Sequence, residues 1–307
     1  ILLFIYSGIA SLIPVWILLQ PRDYINSHQL IVGLSLIFLS IFLIQPKIIA
    51  PAITNLDKGP PIIPFLFVTI ACGAISGFHG LVSSGTTSKQ VDKMEDARMI
   101  GYGATLGEGS LALAATIAAI AGLSFVNMQN EICLPWACDF NNAKAGALNV
   151  FINGSSGLLQ QIGLPQGLAT TLIVVLVVSF AATTLDSATR IQRYIITEFG
   201  SATKLKIFEN KYLATLISII PAYFIATNNE LRNELWQTFG ASNQMLAALT
   251  LMVLSIYFWK KGKNIVPLII PMIIIMLITI SALFIKFNQS TTFLLKLING
   301  ILIILII

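Results

Sequence analysis

IIPFLFVTIACGAISGFHGLVSSGTT, residues 62–87, opens as an apolar run and dissolves into glycine, serine and threonine around His79. A helix in lipid must keep its backbone hydrogen-bonded. Loosened, glycine-rich backbone at membrane depth is therefore tolerated only where protein or a water-filled cavity surrounds it. The stretch reads as a membrane helix that breaks partway and lines a transport pathway.

The rest of the chain agrees with a membrane setting. Of 307 residues, 56% are hydrophobic and 10% charged, against roughly a quarter charged in an ordinary soluble domain. The expected fold class is all-α, a polytopic transmembrane helical bundle in a lipid bilayer. Runs approaching 20 apolar residues mark about nine segments, at about 1–19, 30–45, 62–82, 102–123, 167–187, 212–227, 240–259, 265–285 and 293–307. The formal charge of +5 lies in short clusters between these runs and forms no long basic arm, which argues against nucleic acid as a partner. Ile1 falls inside an apolar run and the chain ends on ILIILII. The expectation is one transmembrane domain, 1–307, that is a fragment lacking amino-terminal helices.

Lys and Arg are enriched on the cytoplasmic side of membrane proteins. The odd-numbered connections hold Arg22; Lys89, Lys93 and Arg98; Arg190, Arg193, Lys204, Lys206 and Lys211; and Lys260, Lys261 and Lys263, twelve in all. The even-numbered ones hold five: Lys47, Lys58, Lys144, Arg232 and Lys286. Odd connections are thus expected in the cytoplasm, and the long connection 124–166 outside it. That loop carries Cys133 and Cys138, which are open to a disulfide in an oxidising compartment or to remaining free thiols. Cys72, in an apolar run, reads as a small packing residue. Asn153-Gly154-Ser155 matches a glycosylation sequon, a motif short enough to arise by chance.

Chemistry-bearing residues are few. An imidazole exchanges protons near neutrality, which makes His79 either a proton carrier or a neutral donor to a carbonyl freed by the glycines around it. Gly73, Gly77 and Gly80 also fit a close helix-packing face. Ser83, Ser84, Thr86 and Thr87 offer hydroxyls for a carboxylate, or cap a helix exit. Glu108, in GYGATLGEG (101–109), is costly in lipid and calls for a partner, a cavity or water. Asp186 and Arg190 stand four apart on one helix face, and with Arg22 and Asp23 they are candidates for gating or for structural ion pairs. Asn243 and Gln244 carry uncharged amides suited to a ligand or to bonding between helices. No metal site or cofactor is expected.

Five blocks in order, PRDY (21–24), SGFHGLVSSGTT (76–87), GYGATLGEG (101–109), Leu185-Asp186 with Thr189-Arg190, and Phe239-Gly240 with Asn243-Gln244, resemble the carbon starvation protein A (CstA) family. Gly80 and Ser88 depart from it, standing where serine and proline are common. The resemblance implies a secondary transporter of small peptides or of pyruvate in a bacterial plasma membrane, driven by protons in preference to sodium. It also implies an architecture related to the amino acid–polyamine–organocation transporters. A nutrient sensor or channel-like protein is the second reading. An intramembrane enzyme is disfavoured, since there is no HExxH, no paired aspartate signature and no serine with a recognisable base.

Overall fold

The structure is a computed structural model that describes residues 1–52, 62–126, 140–290 and 293–306. Cys133 and Cys138 lie outside the described residues. Twelve α-helices and short turns of tighter or wider helix make up the regular structure among the described residues. Among the described residues, six helical spans are long and apolar enough to cross a membrane: Val15–Ile44, Ile63–Lys89, Asp96–Ile120, Gln166–Thr203, Thr238–Lys260 and Val266–Gln289. Leu2–Leu12, Lys211–Thr227 and Leu295–Ile306 are shorter apolar helices, so six spans of crossing length stand against the nine segments expected, and the first expected segment, 1–19, is divided between two helices. The all-α, polytopic fold class stands.

The chain divides into two compact units, Ile1–Gly59 with Val91–Leu216, and Pro60–Gln90 with Ile217–Ile307. The first unit is built on α1 (Leu2–Leu12), α2 (Val15–Ile44), α5 (Asp96–Ile120), α6 (Phe140–Gln161) and α7 (Gln166–Thr203). Its core joins Ile37 of α2, Ala114 and Ala118 of α5, Leu158 and Leu159 of α6, and Ala169 and Ile173 of α7. At 38 residues, α7 is ~57 Å long at 1.5 Å per residue, well beyond a hydrocarbon core of about 30 Å. Pro165 opens it, and Lys204 in the left-handed region closes it.

Two expectations change in this unit. The polar stretch around Pro21-Arg22-Asp23, expected as a connection, lies inside the continuous 30-residue α2. The interruption comes earlier, at Ile13-Pro14, where Ile13 is extended and Pro14 precedes the first residue of α2. Proline at such an entry removes an amide that would have been unsatisfied anyway. The connection 124–166 holds α6, a 22-residue helix whose Gly154, Ser155, Ser156 and Gly157 are buried. Small residues let its backbone approach the end of α5. A β-carbon built on Gly154 would overlap the Ala118 carbonyl, and one on Gly122 would overlap the Gly154 carbonyl. Asn153 bonds back to the Asn149 carbonyl within this helix, so the sequon sits on helix and not on a loop.

The second unit contains α3 (Phe67–Ala74), α4 (Gly77–Gly85), α10 (Asn229–Lys260), α11 (Val266–Gln289) and α12 (Phe293–Ile306). Val68, Ala241, Ala282 and Leu283 form its core. Helix α10 packs against α3, α4, α11 and α12. The turn from α10 to α11 uses Gly262 at φ +66°, a conformation that costs glycine nothing. Of the glycines expected to form a packing face, Gly77 and Gly80 do so. A β-carbon on Gly77 would stand 2.5 Å from the Ala247 nitrogen, and one on Gly80 2.8 Å from Thr250 Oγ1, whereas Gly73 faces open space.

Candidate functional site

In the second unit the break expected near His79 falls at Ile75-Ser76, both extended, between α3 and α4. Breaking a helix frees carbonyls at the end of one half and amides at the start of the next. Two neighbouring side chains of α10 take up these groups. Asn243 Oδ1 accepts from the Phe78 amide at 2.9 Å and from the Ser76 hydroxyl at 3.2 Å. Its Nδ2 donates to Cys72 Sγ at 3.1 Å, and Gln244 Nε2 donates to the Ile75 carbonyl at 3.0 Å. Both amides are buried. These amides bond one helix to the broken ends of the other. Asn243→Leu should lower the stability of the full-length protein by about 1–3 kcal/mol, since it orphans the Phe78 amide and the Ser76 hydroxyl. Thermal unfolding in detergent reads this, and an unchanged melting temperature would mean that the amide does not hold the break.

The hydroxyl run past the break does not converge. Ser83 and Ser84 are exposed and donate to the carbonyls of Gly80 and Leu81, one turn back. Thr86 caps the end of α4, and Thr87 begins a short 3₁₀ turn. His79 is exposed beside Phe78. Glu108, on an exposed face of α5, belongs to the first unit.

In the first unit the charged residues expected as pairs form one network across the Ile13-Pro14 break. Asp186 is fully buried, Arg190 is 2% exposed, and the Arg22 side chain is 14% exposed. Arg22 Nη1 donates to Asp186 Oδ2 at 2.5 Å and to the Tyr6 hydroxyl at 3.3 Å. Its Nη2 reaches Asp23 at 3.0 Å. The Asp186–Arg190 pair read from their spacing is the looser contact, at 3.8 Å. Arg190 serves the backbone. Its Nη2 donates to the Ala10 carbonyl at 2.5 Å and its Nη1 to the Ile13 carbonyl at 2.9 Å, capping the carbonyl end of α1, where a cation is favoured. Asp186 Oδ1 and Arg190 Nε are buried without a hydrogen-bond partner among the described residues. Sequence reasoning missed Tyr6 and the carbonyls of Ala10 and Ile13, which carry no charge or motif of their own, and gave Ser76 no role although it opens the block 76–87.

These features define a multi-pass helical membrane protein with interrupted helices, in which buried polar side chains from one helix hold the broken ends of others. The family profile described as carbon starvation protein CstA matches residues 1–134 and 136–282, and the chain belongs to that family. A peptide transporter CstA of Helicobacter pylori is 30% identical over 308 residues, covering 84% of this chain and 45% of that protein. The peptide transporter CstA of Bacillus subtilis is 30% identical over 305 residues, or 87% and 50%. The pyruvate/proton symporter BtsT of Escherichia coli is 46% identical over 123 residues, or 37% and 17%. The chain spans about half the length of the peptide transporters it matches. No solved structure matches it.

Proposed function

We propose that this chain is part of a secondary active transporter of a bacterial plasma membrane, importing small peptides or a short carboxylate such as pyruvate with a coupled proton. The observation that carries the reading is the pair of breaks, at Ile13-Pro14 and Ile75-Ser76, each held by buried polar side chains. In a membrane, non-helical backbone survives where protein or a cavity surrounds it, and discontinuous helices are where transporters place substrate and ion sites. The names borne by the relatives, peptide transporter and pyruvate/proton symporter, point the same way.

The Lys- and Arg-rich connections face the cytoplasm in this reading; Arg22 itself lies inside α2, and Arg190 and Arg193 are buried. His79 and Glu108 are proposed as proton-pathway groups. The test is uptake of labelled pyruvate and of a labelled dipeptide by the full-length protein in proteoliposomes. An inward proton gradient should stimulate uptake, and His79→Ala and Glu108→Gln should each weaken the stimulation. Uptake indifferent to the gradient would remove proton coupling, and wild-type stimulation in both variants would remove these two residues from the pathway. Binding without uptake would favour the sensor.

A further inference from the structure

The charged network of the first unit has a composition that suits more than bracing. Within it Arg22 is shared between two carboxylates, buried Asp186 and half-exposed Asp23. Arg190 is engaged by the carbonyl end of α1, so Arg22 is the chief counter-charge of Asp186. The carboxylate is hydrogen-bonded on one side only: Oδ2 accepts from Arg22, while Oδ1, 3.8 Å from Arg190 Nη2, is buried with no hydrogen-bond donor among the described residues. A carboxylate satisfied on both oxygens would be a finished structural pair. Here Oδ1 has an unfilled hydrogen-bonding position, and Arg22, on Oδ2, retains partial exposure.

We propose that Asp186 occupies Arg22 in place of the substrate's carboxylate and gives it up on taking a proton. The inference rests on the transport reading above, whose candidate substrates, a peptide and pyruvate, both carry a carboxylate. The step balances in charge and atoms. One proton binds a carboxylate oxygen of Asp186 and makes it neutral. The Nη1 donation of Arg22 is then released, and the incoming carboxylate accepts it. The network therefore holds the same net charge before and after, and one proton travels with each carboxylate. A substrate anion arriving without the proton would place two carboxylates on one Nη1, a like-charge contact that a poorly solvated site resists.

The groups that bear on Asp186 come from each helix packed around it. Helix α1 supplies Tyr6, whose hydroxyl shares Arg22 Nη1, and α2 supplies Arg22 and Asp23. Its own helix supplies Arg190 and, further along, Arg193. Helix α6 meets α7 at the other end, near Ala169 and Ile173, through Leu158 and Leu159. The short α8 (Lys206–Glu209) meets it at Gly200 through Phe208. Tyr6 keeps a hydrogen bond on Arg22 in either state, which suits a guanidinium that changes partners without leaving its place.

The test uses the full-length protein in proteoliposomes with labelled pyruvate and a labelled dipeptide. In the wild type an inward proton gradient should stimulate net uptake. In Asp186→Asn, a permanently neutral side chain of the same shape, exchange of internal for external substrate should persist while stimulation by the gradient falls to about one-fold. Asp186→Glu should restore part of the response. Should Asp186→Asn fail to fold, the wild type still decides the matter: pyruvate added to the detergent-solubilised protein in weak buffer should draw about one proton from solution per substrate bound. Binding with no proton uptake overturns the proposal, as does gradient-stimulated uptake in Asp186→Asn equal to the wild type. A wild type that takes up neither substrate under any gradient sinks the transport reading, and this inference with it.

Discussion

Replacing Arg190 by alanine is expected to destabilise the full-length protein by about 3–5 kcal/mol, the range found when one partner of a buried charge pair is removed. Two separate losses combine. The carbonyls of Ala10 and Ile13 lose their donors at the carbonyl end of α1, where unsatisfied groups have little water to turn to. Asp186, fully buried, also loses the cation 3.8 Å away on its own helix. Arg190→Lys should fall between the wild type and alanine. An ammonium keeps the charge but is a point donor on a flexible stem, whereas the guanidinium fork reaches both carbonyls at once. Thermal unfolding in detergent, read alongside the monodisperse fraction after solubilisation, should rank the proteins wild type, lysine, alanine. Alanine and wild type melting together would show that α1 is held by something else.

The contrast between the two breaks shows what a sequence makes visible. The break at Ile75-Ser76 was legible because its cause is local: glycines and hydroxyls interrupt an apolar run, and the amides of Asn243 and Gln244 directly precede the apolar half of α10. The break at Ile13-Pro14 was not, since a single proline marks it and the polar residues that follow look more like a loop. Arg22, which Asp23 also contacts, interrupts the hydropathy of α2 because its partner is Asp186, 164 residues away, and nothing along the chain announces that meeting. The spacing of Asp186 and Arg190 placed both on one face of α7, yet local periodicity cannot say that Arg190 turns to the α1 carbonyls while Arg22 takes the carboxylate. Helix α6 was hidden for another reason. It buries Leu158 and Leu159, but the stretch 154–157 packs through glycine and serine, and a search for long apolar runs passes over a contact made with almost no side chain at all.

That last property makes Gly154 the second position where a small change should have a large effect. Gly154→Leu is expected to prevent the close approach of α6 to the end of α5 and to cost at least the 1–3 kcal/mol typical of overpacking. Even Gly154→Ala should be harmful, because the atom in the way is the Ala118 carbonyl, part of the backbone of α5, and Gly122 meets the Gly154 carbonyl in return. Neither side can rotate out of the way, and separating the helices would open the core that joins Ala114 and Ala118 to Leu158 and Leu159. Gly33 provides the comparison within the same unit. A β-carbon there would stand 2.7 Å from Leu176 Cδ1, the far end of a side chain that can change rotamer, and alanine has a helix propensity better than glycine by about 1 kcal/mol. Gly33→Ala should therefore be close to neutral where Gly154→Ala is not. Unfolding temperatures of the two alanine variants in the full-length protein test this directly, and equal effects would mean that α6 is free to shift and that its approach to α5 does not hold the unit together.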